Sequence, residues 1–225
     1  MELQLRITAN AVETTVIVGC QRLSLSPAGI YNSVCMVPPN GDALKTSDKQ
    51  FLGPVTEYLP PLAEWLGVPP PVLVYASGQP DCLMTTSGLR IGFGVCHDAS
   101  FPDWTHTLSQ RGADLLALIA NESFSDSDQL KHQLLACSRL RAIESRRTLV
   151  RCAAKGITGV YDGCGNRVAS TRDWRALEPL VVENVPIVRG TSLYHQFGST
   201  ITWGIVAAVA IAGELMRTIP QRGAS

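Results

Sequence analysis

The 225-residue chain reads as an α/β sandwich in which helices cover stacked sheets, and three observations carry that reading. Short β-branched or apolar runs alternate with amphipathic stretches, several of the runs stand as consecutive hairpin-like pairs, and the length suits one sizeable core rather than two full domains. Hydrophobic residues make up 45% of the chain and charged residues 17%, more apolar than a typical soluble domain. The formal net charge is zero, so nothing electrostatic points to nucleic acid as a partner.

The elements follow in order. Leu3, Ile7 and Ala11 recur at four-residue spacing and predict an amphipathic helix from about Glu2 to Thr15. An acidic residue at position 2 and polar interruptions at Asn10 and Glu13 do not make a signal peptide. Val16-Ile-Val-Gly-Cys20 is expected as a buried strand, and Tyr31–Val37 as a second, closed by the turn Pro38-Pro-Asn-Gly41. Leu59–Pro71 holds five prolines and is expected to be loop, with one short helix around Leu62–Leu66. Strands are expected near Val72–Tyr75, Leu83–Thr86 and Leu89–Val95, a short helix over Thr105–Arg111 and a buried strand at Leu115–Ala120.

The clearest helix runs from about Asp126 to Arg146, with Leu130, Leu134, Cys137, Leu140 and Ile143 as its apolar face. Thr148–Ala153 and Ile157–Tyr161 follow as strands, the second turning at Asp162–Asn166 into Arg167–Ser170, and Leu180–Val188 is expected as the last. From Gly190 to Gly213 no residue is formally charged, and the stretch centred on Ile201–Gly213 is long enough for a membrane span if Glu214 lies near an interface. Trp203 would sit at one interface, and Arg217 and Arg222 would place the C-terminus in the cytoplasm. The alternative is a core or dimer-interface helix of a soluble protein.

The chemistry rests on a cysteine at a strand end and a lysine upstream. Leu89-Arg-Ile-Gly-Phe-Gly-Val-Cys96 leads into His97-Asp98-Ala-Ser-Phe-Pro102, and Lys49 opens Lys49-Gln-Phe-Leu-Gly-Pro-Val-Thr-Glu57-Tyr58. A cysteine nucleophile has to be partly thiolate, which a nearby cation promotes. The same cation can hold the oxyanion formed when a thiolate attacks a carbonyl. The seven cysteines are scattered and form no C-x-x-C pair, which argues against a zinc site and a compact disulfide framework; apart from Cys96 they read as small buried apolar residues. No cofactor or metal is called for.

Taken as an ordered set, these segments resemble the nitrilase (carbon–nitrogen hydrolase) superfamily, and within it the apolipoprotein N-acyltransferases. Tyr31-Asn-Ser33, the lysine loop from Lys49 to Tyr58, Cys96 with Phe101-Pro102, Asn121, His132, Arg141-Ala-Ile-Glu144 with Arg147, Gly156-Ile-Thr158, the Asp162–Gly165 turn and Phe197-Gly198 carry the likeness. The resemblance implies a nitrilase-like α-β-β-α sandwich, incomplete at its N-terminus, over residues 1–188. A linker at 189–199, a transmembrane helix at 200–217 and a cytoplasmic tail at 218–225 would follow.

It also implies that Cys96 takes an acyl chain from a phospholipid as a thioester and passes it to the α-amine of a lipoprotein's N-terminal cysteine. Lys49 would hold the oxyanion, Glu57 would orient Lys49, and His97, Asp98 and Asn121 would bind substrate. Phospholipid, lipoprotein and membrane are the implied partners. The implied location is the bacterial inner membrane, with the catalytic domain on its periplasmic side. Arg141 with Glu144 reads as an ion pair, His132 as a hydrogen-bonded helix residue, and Gly156 and Gly159 as backbone geometry.

The family's general-base glutamate belongs on a strand ahead of the opening helix, so the expectation is an N-terminally truncated or split enzyme. Glu2 and Glu13, on that helix, are not substitutes. His97-Asp98 replaces the family's tyrosine–glutamate, Glu122 an aspartate and Lys155 a common asparagine. The alternatives are a small-amide hydrolase of the same superfamily and a non-catalytic relative that keeps the fold.

Overall fold

The computed structural model of the chain describes residues 2–39, 43–79, 83–176 and 178–218. Helix α1 (Glu2–Ala11) lies against β1 (Val16–Leu25) and β2 (Ala28–Val37), its Ala9 fully buried. It ends short of Thr15: Glu13 takes a left-handed φ of 49° beyond the last turn. Strands β1, β2 and β3 (Lys45–Asp48) form an antiparallel three-stranded sheet. Both long strands extend past the expected apolar runs. The added residues on β1 alternate toward solvent, with Leu23 and Leu25 exposed, so the ladder with β2 holds them rather than a core.

The second sheet has the order β4 (Leu83–Thr86), β5 (Leu89–Val95), β6 (Leu115–Asn121), β7 (Thr148–Ala154), β8 (Gly159–Tyr161), β9 (Arg167–Ser170). Strands β5, β6 and β7 run parallel and the outer pairings are antiparallel. The continuous apolar run of β5 is buried on both faces, as a central parallel strand requires. Val34 and Met36 of β2 share one core with Ile91, Phe93, Val95, Leu116 and Leu118 of the larger sheet.

Helices α3 (Pro102–Gln110) and α4 (Asp128–Ser145) cover the outer face of that sheet, completing an α-β-β-α sandwich. Trp104 of α3 donates from Nε1 to Phe93 O at 2.8 Å and lies over Gly94, where a Cβ would stand 2.4 Å from the ring. The helix starts at Pro102, three residues before the expected Thr105, because proline is pre-organised for the first helical position.

Three expectations need correction. Val72–Tyr75 is not a strand: Tyr75, Ala76 and Gly78 donate singly to Glu57 O, Ile30 O and Lys49 O, which threads the segment beside the lysine loop without a ladder. Leu180–Val188 is not a strand either, since Pro186 lacks a donor and Asn184 takes a left-handed φ of 54°.

The third correction concerns α4, which buries Lys131, Ser138, Arg141, Ala142 and Ser145, while Leu140 is 49% exposed. The layer beneath it offers polar partners: Lys131 Nζ donates to Glu122 O, and Ser138 Oγ accepts from Arg151 Nε at 3.2 Å. Cys152 and Cys164 are exposed rather than buried, and Cys82, Asn40, Gly41 and Arg222 lie outside the described residues.

The short helix α2 (Pro61–Trp65) stands close to its expected place, with Trp65 80% exposed. After α5 (Leu193–Phe197), α6 (Thr200–Thr218) is long and apolar enough to cross a membrane, and its window Thr200–Arg217 has no buried share. It is not a core helix of this chain.

Candidate active site

The position of Cys96 is set by the end of β5. Val95 closes the strand, and Cys96 begins a 3-10 turn (Cys96–Ser100) with a left-handed φ of 49°. Such a backbone is uncommon for a side-chain-bearing residue and clusters at functional sites. Asp98 fixes the turn: its Oδ2 accepts from Val95 N at 2.8 Å and its Oδ1 from Phe51 N at 2.9 Å. The residue is 1% exposed, so it sits beneath the site and fastens the Cys96 turn to the lysine loop.

The lysine loop begins where β3 ends. Lys49 N donates to Asn32 O at 2.8 Å, and the residue is 2% exposed. Its Nζ lies 2.5 Å from Glu57 Oε2, which also accepts from Gly53 N at 2.7 Å. Asn32 Nδ2 donates to Glu57 Oε1 at 3.3 Å. Burial pulls the Glu57 carboxyl up, but the Gly53 N–H and the Lys49 ammonium outweigh it and hold the group below the usual glutamate range. Glu57 is therefore a charged anchor for Lys49.

Cys96 is half-buried, and burial raises its thiol pKa. The Lys49 charge opposes that rise, Glu122 and Glu57 add to it, and the Asn121 backbone N–H on the sulfur lowers it. Lysine and cysteine thus share one electrostatic environment in which the cation favours thiolate and the walls favour thiol. Glu57 and Asp98 are both taken up by partners, so the thiol proton has to leave to another acceptor.

His97 faces the same Lys49 charge; burial first, and then that charge, keep its pKa below the usual histidine range. Its Nδ1 lies 3.2 Å from Ser100 Oγ, and its ring meets Phe101 edge-on at 5.3 Å. Phe101 stacks on Phe51 of the lysine loop at 4.5 Å, a second tie between the two segments. Asn121 ends β6, its side-chain Oδ1 accepting from Ser123 N at 3.1 Å. The structure therefore gathers Lys49, Glu57, Cys96, His97, Asp98 and Asn121 around the carboxyl ends of β5 and β6.

The remaining singled-out residues lie elsewhere. Arg141 and Glu144 form an ion pair at 3.0 Å, and His132 is exposed on α4. Glu13 lines a separate cavity of about 480 Å³ with Lys45 and Thr85. The sequence reading missed Arg151 and Lys131, which hold Glu122 at the end of β6 by its carboxylate and its carbonyl. Their signal was a charge inside a buried strand run and another near the start of an amphipathic helix.

The Asp98 carboxyl is pushed up to about 6 by burial, against the N–H groups of Val95 and Phe51 and the Lys49 charge. A carboxyl whose folded pKa exceeds its unfolded value binds its proton more tightly when folded. Asp98 therefore lowers stability as pH rises from about 4 to about 6. Asp98→Asn is expected to lose about 1–3 kcal/mol, because an amide cannot accept both N–H groups. It is also expected to flatten that pH slope. Denaturant unfolding of both proteins from pH 4 to 7 measures each effect; equal slopes count against the assignment.

Among known proteins, the carbon-nitrogen hydrolase family profile matches residues 2–213. An apolipoprotein N-acyltransferase of Geobacter metallireducens is 30% identical over 193 residues, covering 82% of this chain and 36% of that protein. One from Shewanella oneidensis is 25% identical over 233 residues, covering 95% of this chain and 43% of its own length. The chain thus spans well under half of these curated relatives. Among solved structures, a carbon-nitrogen hydrolase from Helicobacter pylori G27 superposes with a TM-score of 0.61 at 15% identity, over 76% of this chain and 64% of that one. The CN-hydrolase superfamily protein XC1258 from Xanthomonas campestris, which carries an arsenic adduct in its active site, gives 0.60 at 19% identity, over 89% and 73% of the two chains.

Proposed function

This chain belongs to the carbon–nitrogen hydrolase family, and from that membership we propose that it supplies the lysine and the cysteine of an apolipoprotein N-acyltransferase. Cys96 attacks the ester carbonyl of a phospholipid, and the ester C–O bond breaks to release the lysophospholipid. The acyl chain of the resulting thioester passes to the α-amine of a lipoprotein's N-terminal cysteine with release of the Cys96 thiol. Lys49 holds the oxyanion in both half-reactions, and Glu57 keeps Lys49 aimed. The observation that carries this reading is the buried Lys49–Glu57 pair at 2.5 Å beside Cys96, in a chain whose apolar helix α6 has no buried residue over Thr200–Arg217.

An apolar rim beside the lysine loop supports a lipid donor. Leu62, Trp65, Leu66, Val72 and Val74 are exposed on the segment that leads to Tyr75, whose N–H donates to Glu57 O. In this reading residues 1–188 form the catalytic layer, 189–199 a linker, 200–217 the span and 218–225 a cytoplasmic tail. The catalytic layer lies on the periplasmic face of the bacterial inner membrane, and His97 and Asn121 line the donor's path. The thiol proton passes to an acceptor other than Glu57 and Asp98, both of which are held by partners.

The test is acyl transfer to the thiol. Membranes containing the protein are incubated with acyl-labelled phospholipid and probed for a hydroxylamine-sensitive adduct on Cys96. The adduct is expected, and expected to vanish in Cys96→Ala; its absence from the wild type sinks the proposal. Recovery of the chain in the soluble fraction after an alkaline wash would instead favour a small-amide hydrolase.

A further inference from the structure

We propose that Cys20 and Cys35 form a disulfide, a covalent cross-link site in the three-stranded sheet separate from the Cys96 thiol. Cys20 on β1 stands opposite Ser33, and Cys35 on β2 stands opposite Val18, so the two cysteines are diagonal neighbours on one face of the hairpin. Their sulfurs are 3.0 Å apart. Closing to a bonded separation of about 2.05 Å takes a movement of about 1 Å, shared between side-chain rotation and the backbone of the two strands, without a shift in strand register.

Accessibility sets the order of events. Cys20 is half-buried and Cys35 buried, so an outside reagent meets Cys20 first. The oxidant is a disulfide of the R–S–S–R class. The Cys20 thiolate attacks one of its sulfurs, forms a mixed disulfide and releases one R–S⁻. The Cys35 thiolate then attacks Cys20 Sγ and releases the second. Two protein thiols lose two electrons and two protons, and the reagent is reduced to two thiols.

The cross-link would sit next to the residues that seat the lysine loop. Ser33, opposite Cys20, donates from Oγ to Asp48 Oδ1 at 2.6 Å, and Asn32 holds both Lys49 N and Glu57. A bond between Cys20 and Cys35 therefore pins the part of β2 on which the Lys49–Glu57 pair depends. The chemistry does not need the proposed acyl transfer; the proposed periplasmic placement decides only whether an oxidant is at hand in the cell.

The full chain, purified in detergent and reduced, is incubated with oxidised glutathione, denatured, alkylated and mapped by mass spectrometry. The expected product is a Cys20–Cys35 cross-linked peptide about 2 Da lighter than the sum of its reduced parts, with no glutathione retained. Cys35→Ser is expected to trap glutathione on Cys20, and Cys20→Ser to leave Cys35 alkylated. Wild-type protein that keeps both thiols alkylated, or keeps glutathione on Cys20, overturns the proposal. A purified chain that cross-links while the chain quenched in cells stays reduced upholds the pair and counts against the periplasmic placement.

Discussion

Replacing Lys49 by alanine is expected to slow acylation of Cys96 by about 10²–10³-fold, the usual loss when one oxyanion donor is removed from a dry site. The cation is buried at 2% exposure and nothing in the loop replaces it. It also acts on the thiol, being the largest influence that opposes the burial-driven rise of the Cys96 pKa. Its loss is therefore expected to move that pKa further up. The rate of Cys96 alkylation by iodoacetamide, followed against pH, reads this directly and needs neither the acyl donor nor the general base. The profile of Lys49→Ala is expected to lie at higher pH than that of the wild type. Superimposable profiles would show that Lys49 does not act on this sulfur.

Glu57→Gln separates the two roles. It leaves the cation in place but removes the carboxylate that Lys49 Nζ meets at 2.5 Å, so a smaller loss of acylation is expected. An effect as large as that of Lys49→Ala would mean that the loop collapses without its ion pair.

How much of this was readable from the chain depends on what holds each part. The strand ending at Cys96 is an uninterrupted apolar run because it is buried on both faces, and hydrophobicity alone marks it. Lys49, Glu57 and Cys96 were legible as members of an ordered family pattern, and the structure brings them together. Strand β3 was not legible: Lys45-Thr-Ser-Asp48 has no apolar residue and is held by its ladder with β2. The buried face of α4 was misread for a related reason, since periodicity finds apolar stripes and this helix buries Lys131 and Ser138 against polar partners. Nor does any spacing rule reveal that Asp98, two residues past Cys96, turns inward to grip Val95 and Phe51.

Those polar partners centre on Arg151, whose replacement by methionine is expected to cost about 3–5 kcal/mol, the usual penalty for stranding a buried charge. Arg151 is 1% exposed, ion-paired with Glu122, and donates to Ile157 O and to Ser138 Oγ at 3.2 Å. Glu122 keeps its second carboxylate oxygen unpartnered among the described residues, close to Gly156, where any Cβ would collide with it. Burial already raises the Glu122 pKa, with Arg151 and then Lys131 pulling it down. Removing Arg151 takes away the larger restraint, so the folded pKa climbs further above the unfolded one. The sign follows: with Glu122 protonated the stranded group is neutral and the loss is small, and the deficit grows as pH rises from the folded pKa of Glu122 in the wild type toward its higher folded pKa in the variant. Denaturant unfolding is therefore expected to show a larger deficit for Arg151→Met at pH 8 than at pH 5. Adding Glu122→Gln is expected to recover much of the deficit at pH 8 and little at pH 5. A deficit that does not change with pH would mean that Arg151 matters for packing and not for the charge it neutralises. The pair bears on the chemistry as well, because Glu122 follows Asn121, whose backbone N–H is directed at the Cys96 sulfur. Loosening the end of β6 is thus expected to raise the Cys96 pKa in the same variant, which ties a stability measurement to the reactivity of a thiol on the neighbouring strand.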